Sequence, residues 1–279
     1  PAWPARVACW AAIGFALVQG GFISHEAAHG AISKRRLVGE VVGQCFQTLL
    51  VGLAFSYFRR SHALHHAHVN EDGLDPDAES DLLSVFPASA RRKRGLGRLT
   101  TRFQHVLVVL LCPTWGLGLK WDALTYVLRN PGRTRVDQVA LALHALLWLG
   151  VCGWVLGPVD ALVNYLGWLG FASVYMFLVI PFNHVGKPQI EDGERVSFLE
   201  QQIATTRNLR TSFLVDIVSM GQSCHVEHHL FPSVPTTRLG RGRQVLRDFC
   251  REEGLPYREY RYVEAMGEAL RHLARVARS

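Results

Sequence analysis

Three short runs in this 279-residue chain carry imidazoles at helical spacing. His25 and His29 stand four apart in HEAAH, while His62, His65 and His66 in HALHH and His225, His228 and His229 in HVEHH add the i, i+3 relation. On a helix, positions i, i+3 and i+4 share one face, so each run aims its rings at one locus. His184, in the pair Asn183-His184, follows an apolar stretch and is the ninth histidine able to converge. Neutral imidazole ligates zinc, iron and copper, and four ligands complete one zinc site. Nine exceed one ion's needs, whereas two octahedral irons, each with four or five imidazoles and a position left for oxygen species, use them. A single HxxxH recurs by chance; two HxxHH runs and an HxxxH in one short chain do not. The other four histidines are expected outside the ligand set. His68 lies three residues past His65, His144 sits in an apolar stretch where a hydrogen bond to a neighbouring helix suits it, and His105 and His272 read as interfacial or surface residues.

The elements that must position these rings follow from composition. Apolar residues make up 49% and charged ones 19%, below the roughly 25% usual in soluble domains, and the net charge is +7. Abundant Leu, Val, Phe and Trp exclude disorder. Six scattered cysteines without a CxxC pair argue against a disulfide scaffold and fit a reducing compartment. Residues 7–24, 136–156 and 159–182 are apolar, free of Lys and Arg, and about long enough to cross a ~30 Å hydrocarbon core. Gly157-Pro158 joins the second and third as a helical hairpin. Residues 37–58 and 103–128 are less clear, the latter interrupted by Pro113, Lys120 and Asp122.

Of the 30 Lys and Arg residues, only Arg6 falls outside 32–135 and 183–279, which places both segments on the cytoplasmic side. Residues 37–58 and 103–128 are then interfacial or re-entrant helices, and residues 183–279 form a cytoplasmic cap. Three crossings is an odd number, and with a start at Pro1 it suggests an upstream first helix outside this sequence, a processed or naturally short N-terminus being the alternative. The expected architecture is all-α, a single integral-membrane domain over residues 1–279 with the active site on the cytoplasmic side. The run Arg91-Arg92-Lys93-Arg94 beside apolar spans reads as a topology or anionic-lipid determinant, and no nucleic-acid partner is expected.

Several details beyond the histidine spacing resemble one family, the integral-membrane fatty acid desaturase and hydroxylase superfamily. HALHHAHVN followed by Asp75-Pro76-Asp77 is similar to the HHxxxN...DPD stretch of acyl desaturases, and HVEHHLFPSVP to the third histidine box of the front-end and related enzymes. Asn183-His184 resembles their additional ligand. The resemblance implies a mushroom-like fold of transmembrane helices under a cytoplasmic helical cap that holds two iron ions in a histidine-ligated centre. Front-end enzymes usually carry Gln where His225 stands, so the position of the double bond is not carried over. No HPGG-type haem segment is visible, so electrons are expected from a separate partner, ferredoxin or cytochrome b5 with a reductase.

The implied reaction uses oxygen and two electrons to introduce a double bond into a fatty acyl chain. The expected metal ligands are His25, His29, His62, His65, His66, His184, His225, His228 and His229. Asn183 is a candidate to hold a water or a ligand ring, and Glu26, Asp75, Asp77 and Glu227 are candidates to accept imidazole N–H groups, with helix caps or ion pairs as the plainer alternative. Arg59 and Arg60 are candidates for binding the phosphates of a thioester head group, although membrane topology explains the same charges. Hydroxylase or acetylenase chemistry of the same superfamily remains open. An intramembrane zinc protease with Glu26 as the base of HExxH leaves both HxxHH runs unemployed. A non-catalytic metal-binding or transport protein would require polar residues along the spans, which show few.

Overall fold

The computed structural model describes residues 2–78, 83–191, 194 and 196–279. Its helices are α1 (Trp3–Ala28), α2 (Arg36–Gly43), α3 (Phe55–Ala67), α4 (Pro87–Arg92), α5 (Gly95–Arg102), α6 (Gln104–Leu111), α7 (Trp115–Arg129), α8 (Arg135–Ala145), α9 (Cys152–Leu156) and α10 (Pro158–Val179). They continue with α11 (Phe198–Thr205), α12 (Phe213–Ser219), α13 (His225–Leu230), α14 (Thr236–Glu252) and α15 (Tyr262–Val276). The only strands among the described residues are β1 (Asn208–Leu209) and β2 (Glu259–Tyr260), a parallel pair, so the fold is all-α. Packing divides the chain into two compact units, the first made of Pro1–Arg60 and Leu111–Leu178, the second of Ser61–Leu110 and Val179–Ser279.

Among the described residues four helical stretches are long and apolar enough to cross a membrane: Trp3–Ala28, Gln104–Arg129, Arg135–Leu156 and Pro158–Asn183. Their outward side chains are apolar, with Trp154 88% and Val159 74% exposed, a surface that suits lipid rather than water. Three of the four cover the expected spans, and the chain turns at Gly157 between α9 and α10 as the Gly-Pro pair predicts. The fourth covers the helix expected to be interfacial or re-entrant over 103–128, and its length and composition also suffice for a crossing. Its interruptions are absorbed: Pro113 falls in a single 3₁₀ turn, Cys112–Thr114, between α6 and α7, where its missing N–H breaks no long ladder. Lys120 is taken up by backbone carbonyls of the first unit. Pro1, from which the expectation of an upstream helix was argued, lies outside the described residues.

In the first unit α1 and α10 run side by side in parallel. Arg6 pairs with Asp160 at 2.8 Å, Trp10 Nε1 donates to Asn164 at 2.8 Å and Gln19 to Tyr175 at 2.5 Å, at near-constant sequence offset. Close approach depends on Gly14, where a Cβ would lie 2.9 Å from both Ala172 N and Trp168 O.

The expected interfacial or re-entrant segment over 37–58 is a broken helix. α2 continues through a π-helical segment, Gln44–Val51, then stops, and the run Arg36–Val51 meets α3 at a bend of 109°. Such a break orphans backbone groups, and in apolar surroundings each must find a partner. The carbonyls are met in sequence: Leu49 accepts from His144 Nδ1 at 2.9 Å, Leu50 from Trp148 Nε1 at 3.3 Å, and Val51 and Gly52 from Lys120, the latter at 3.1 Å. Across the break the first amides of α3 are capped, Phe55 N by Thr48 Oγ1 at 3.0 Å and Ser56 N by the buried Asp137 carboxylate at 3.1 Å. Gly52 allows the turn with φ of 76°, and any Cβ there would strike the His144 ring.

In the second unit α14 and α15 pack as amphipathic helices. Leu246 and Cys250 of α14 close a core with Ile203 of α11 and Val226 of α13. α11 begins on a reciprocal cap between Ser197 and Glu200. The strand pair aligns Asn208 with Glu259 and Leu209 with Tyr260.

Candidate metal centre

Within the second unit six of the expected ligands lie on two helices. His62, His65 and His66 share a face of α3, and His225, His228 and His229 share a face of the short α13. His184 follows the 3₁₀ turn Pro181–Asn183 and lies outside any helix. The ligand nitrogens of His65, His184 and His229 fall within 4.8 Å of one another, as do those of His62, His66 and His228. His225 Nε2 stands 2.8 Å from His184 Nε2, adding a fourth ring to the first set. In the first unit, His25 and His29 at the end of α1 pack ring to ring with centroids 4.9 Å apart.

The nitrogen separations test whether a metal fits. His66 Nε2 lies 3.0 Å from His62 Nε2 and 3.1 Å from His228 Nε2. An imidazole nitrogen has one proton or one lone pair, so a hydrogen bond accounts for one of these contacts and not both. Two nitrogens bound at right angles to one ion at about 2.1 Å stand about 3 Å apart. The His229 Nε2 atom is buried without a hydrogen-bond partner among the described residues, and Asn183 Oδ1 likewise has no donor. Histidines of this kind can hold metal ions, and the separations fit.

Outer partners fix which nitrogen faces inward. His65 Nδ1 donates to Asp75 Oδ1 at 2.9 Å, His229 Nδ1 to Gln202 Oε1 at 2.9 Å, and His184 Nδ1 to the Thr205 carbonyl at 3.2 Å. Each leaves Nε2 as the ligating atom. Burial, then the neighbouring His65, push the pKa of His184 down to about 3, and burial among other rings holds His229 well below the histidine range. Both are therefore neutral, the form that binds metal. For His65 burial works the same way, but Asp77 and Asp75 outweigh it and raise its pKa. Burial disfavours the Asp75 anion too, yet His65 and the amides of Asn70 and Asp77 hold its pKa below the usual carboxylate value.

The remaining candidates divide. Asp75 is buried and orients the His65 ring, while Asp77 is half in solvent, with its carboxylate 3.7 Å from His65 Nδ1 and its own amide donating to Asp75. Glu227, expected to accept an imidazole N–H, instead accepts from Asn208 Nδ2 at 2.8 Å and Tyr257 OH at 2.7 Å. Asn183 donates to Gln222 at 3.3 Å. Glu26 is half-buried on α1. Arg59 pairs with Glu40 at 2.7 Å and helps line a cavity of about 340 Å³ with His29, Lys34 and Arg36, whereas Arg60 is exposed and outside it. His68 bonds to Glu71 at 2.9 Å and His272 to the Val85 carbonyl at 2.6 Å; neither belongs to a cluster. Sequence reasoning missed Gln202, Thr205 and Asn70. Only the Asn of HHxxxN carried a signal.

The chain is 27% identical over 266 residues to an acyl-lipid 8-desaturase of Rebecca salina, covering 91% of this chain and 60% of that protein. It is 27% identical over 290 residues to the Delta(5) fatty acid desaturase fat-4 of Caenorhabditis elegans, covering 95% and 63%. To a Delta 8-(E)-sphingolipid desaturase of Emericella nidulans it is 23% identical over 282 residues, covering 92% and 51%. It thus spans between half and two thirds of the length of these relatives. The sequence model described as Fatty acid desaturase matches residues 1–261, nearly the whole chain, and the chain belongs to that family.

Proposed function

We infer that this chain is the catalytic region of an oxygen-dependent desaturase that introduces a double bond into a fatty acyl chain. The observation that carries the reading is the pair of imidazole sets in the second unit, with nitrogens 2.8–3.1 Å apart, in a chain of the desaturase family. His62, His66 and His228 would hold one iron and His65, His184, His225 and His229 another, with His25 and His29 taken as the remaining ligands on their spacing alone.

When bound, the irons supply oxygen activation: two hydrogens leave adjacent methylenes, and with two electrons and two protons from outside, O₂ becomes two waters. The protein's own groups prepare that chemistry. Asp75, Gln202 and the Thr205 carbonyl hold three rings in the ligating tautomer. The cavity at Arg59, Lys34 and Arg36 offers cations to the phosphate of an acyl carrier, and Arg59 is its anchored member. The named relatives act on acyl lipids and sphingolipids, so a lipid-linked chain stands beside a thioester as the substrate class. The segregation of Lys and Arg supports a cytoplasmic site, and a separate ferredoxin, or cytochrome b5 with its reductase, is the electron source.

The test is mass spectrometry of products after supplying either donor with its reductase, oxygen, and a panel of acyl thioesters and lipids. Loss of two hydrogens from an acyl chain supports desaturation. Gain of one oxygen assigns hydroxylase chemistry instead, and unaltered acyl chains contradict the reading.

A further inference from the structure

Among the proposed ligands of the second unit, His184 alone lacks a helix to hold it. Its main chain is held locally by turn bonds alone, His184 N and Val185 N to the Pro181 carbonyl at 3.4 and 3.1 Å and Lys187 N to the His184 carbonyl at 3.0 Å, so other groups must add support. Two side chains do so. Arg207 Nη1 donates to the carbonyls of Phe182 and Val185, the latter at 3.2 Å, bracketing Asn183-His184. Asn70 Nδ2 donates to the His184 carbonyl at 3.3 Å and the Pro188 carbonyl at 3.0 Å.

Both donors are themselves anchored. Arg207 is fully buried, its Nη2 bonds Glu268 of α15 at 3.0 Å, and its guanidinium lies 4.8 Å from the centre of the Tyr260 ring. Asn70 adopts φ of 58°, a left-handed conformation that asparagine tolerates, which lets its own amide reach Asp75 Oδ2 at 2.8 Å. The other oxygen of Asp75 holds His65. Asn70 thereby ties together two rings of one set, His65 and His184.

We propose that Arg207 and Asn70 are positioning residues that set the His184 ring and so hold the ion of the His65, His184, His225 and His229 set, without serving the His62, His66 and His228 set. The proposal rests on the two-iron reading above. Its consequence is selective: loosening the clamp weakens one ion and spares the other. Partners of this kind alter metal affinity by about 10–100-fold.

The test is metal titration of the purified protein with Fe(II), and with Co(II) for its absorption spectrum, in wild type, Asn70→Gly and Arg207→Lys. Glycine keeps the left-handed φ and the amide bond to Asp75 while removing the side-chain donors. Lysine keeps the buried charge without the two-armed reach, and Asn70→Gly decides the matter if Arg207→Lys does not fold. The expected result is about two ions per chain in wild type, one of them about 10–100-fold weaker in each folded variant, with the Co(II) spectrum of the other ion unchanged. Two ions in wild type and undiminished affinity in Asn70→Gly overturn the clamp alone. Parallel weakening of both ions also overturns it in favour of a general structural role. Fewer than two ions in wild type overturns the two-iron reading and the clamp with it.

Discussion

Asp75 Oδ1 accepts the Nδ1 proton of His65 at 2.9 Å, with both groups almost wholly buried. This carboxylate converts a ring that could bind through either nitrogen into one that presents Nε2. Replacing Asp75 by Asn keeps the size but weakens the acceptor and disturbs the amide of Asn70 on the second oxygen. Asp75→Asn is expected to lose iron about 10–100-fold more readily to a competing chelator. Equal retention in variant and wild type would show that the carboxylate is a turn residue only.

His144 separates a structural histidine from a ligand. Its ring joins the Leu49 carbonyl to the Tyr165 hydroxyl, at 2.9 and 2.8 Å. His144→Phe leaves both without that partner, at a cost of about 1–3 kcal/mol for each buried group so orphaned. A fall in melting temperature with unchanged iron content is the expected outcome of thermal unfolding and metal analysis. Iron loss at an unchanged melting temperature would reverse the assignment.

The Arg59 cavity predicts a difference between adjacent arginines. Arg59 lines it, and Arg60 is exposed outside it. Arg59→Gln should raise KM for a phosphate-bearing acyl carrier several-fold, with kcat and iron content kept, while Arg60→Gln should change none of these. Unaltered steady-state kinetics in Arg59→Gln rejects the head-group role.

At Gly14 the two parallel helices leave no room for a methyl group. Gly14→Ala is expected to destabilise the first unit by about 1–3 kcal/mol through overpacking, visible as a lower melting temperature. An unchanged transition would mean that α1 and α10 are not in this close contact.

The histidine runs were legible because imidazoles at i, i+3 and i+4 announce a shared helical face, as HALHH and HVEHH do on α3 and α13. Long apolar stretches and the Gly157-Pro158 turn were legible for similarly local reasons. What remained hidden depends on contacts distant in sequence. Lys120 and Pro113 look like interruptions of a span until the carbonyls that receive Lys120, 68 and 69 residues away, are known. Gln202 and Thr205 hold the His229 and His184 rings, and Arg207 the main chain beside His184, through a side-chain amide or main-chain carbonyls, which no residue spacing reports. Glu227 sits between ligands in sequence yet points to Asn208 and Tyr257, since neighbours on a helix face different ways.

X-ray absorption at the iron edge of the purified protein tests the central claim most directly. The account predicts about two irons per chain, surrounded mainly by imidazole nitrogens at about 2.1 Å, with that signal diminished in both His65→Ala and His62→Ala. A single zinc, or iron bound chiefly by sulfur or carboxylate oxygen, would contradict it.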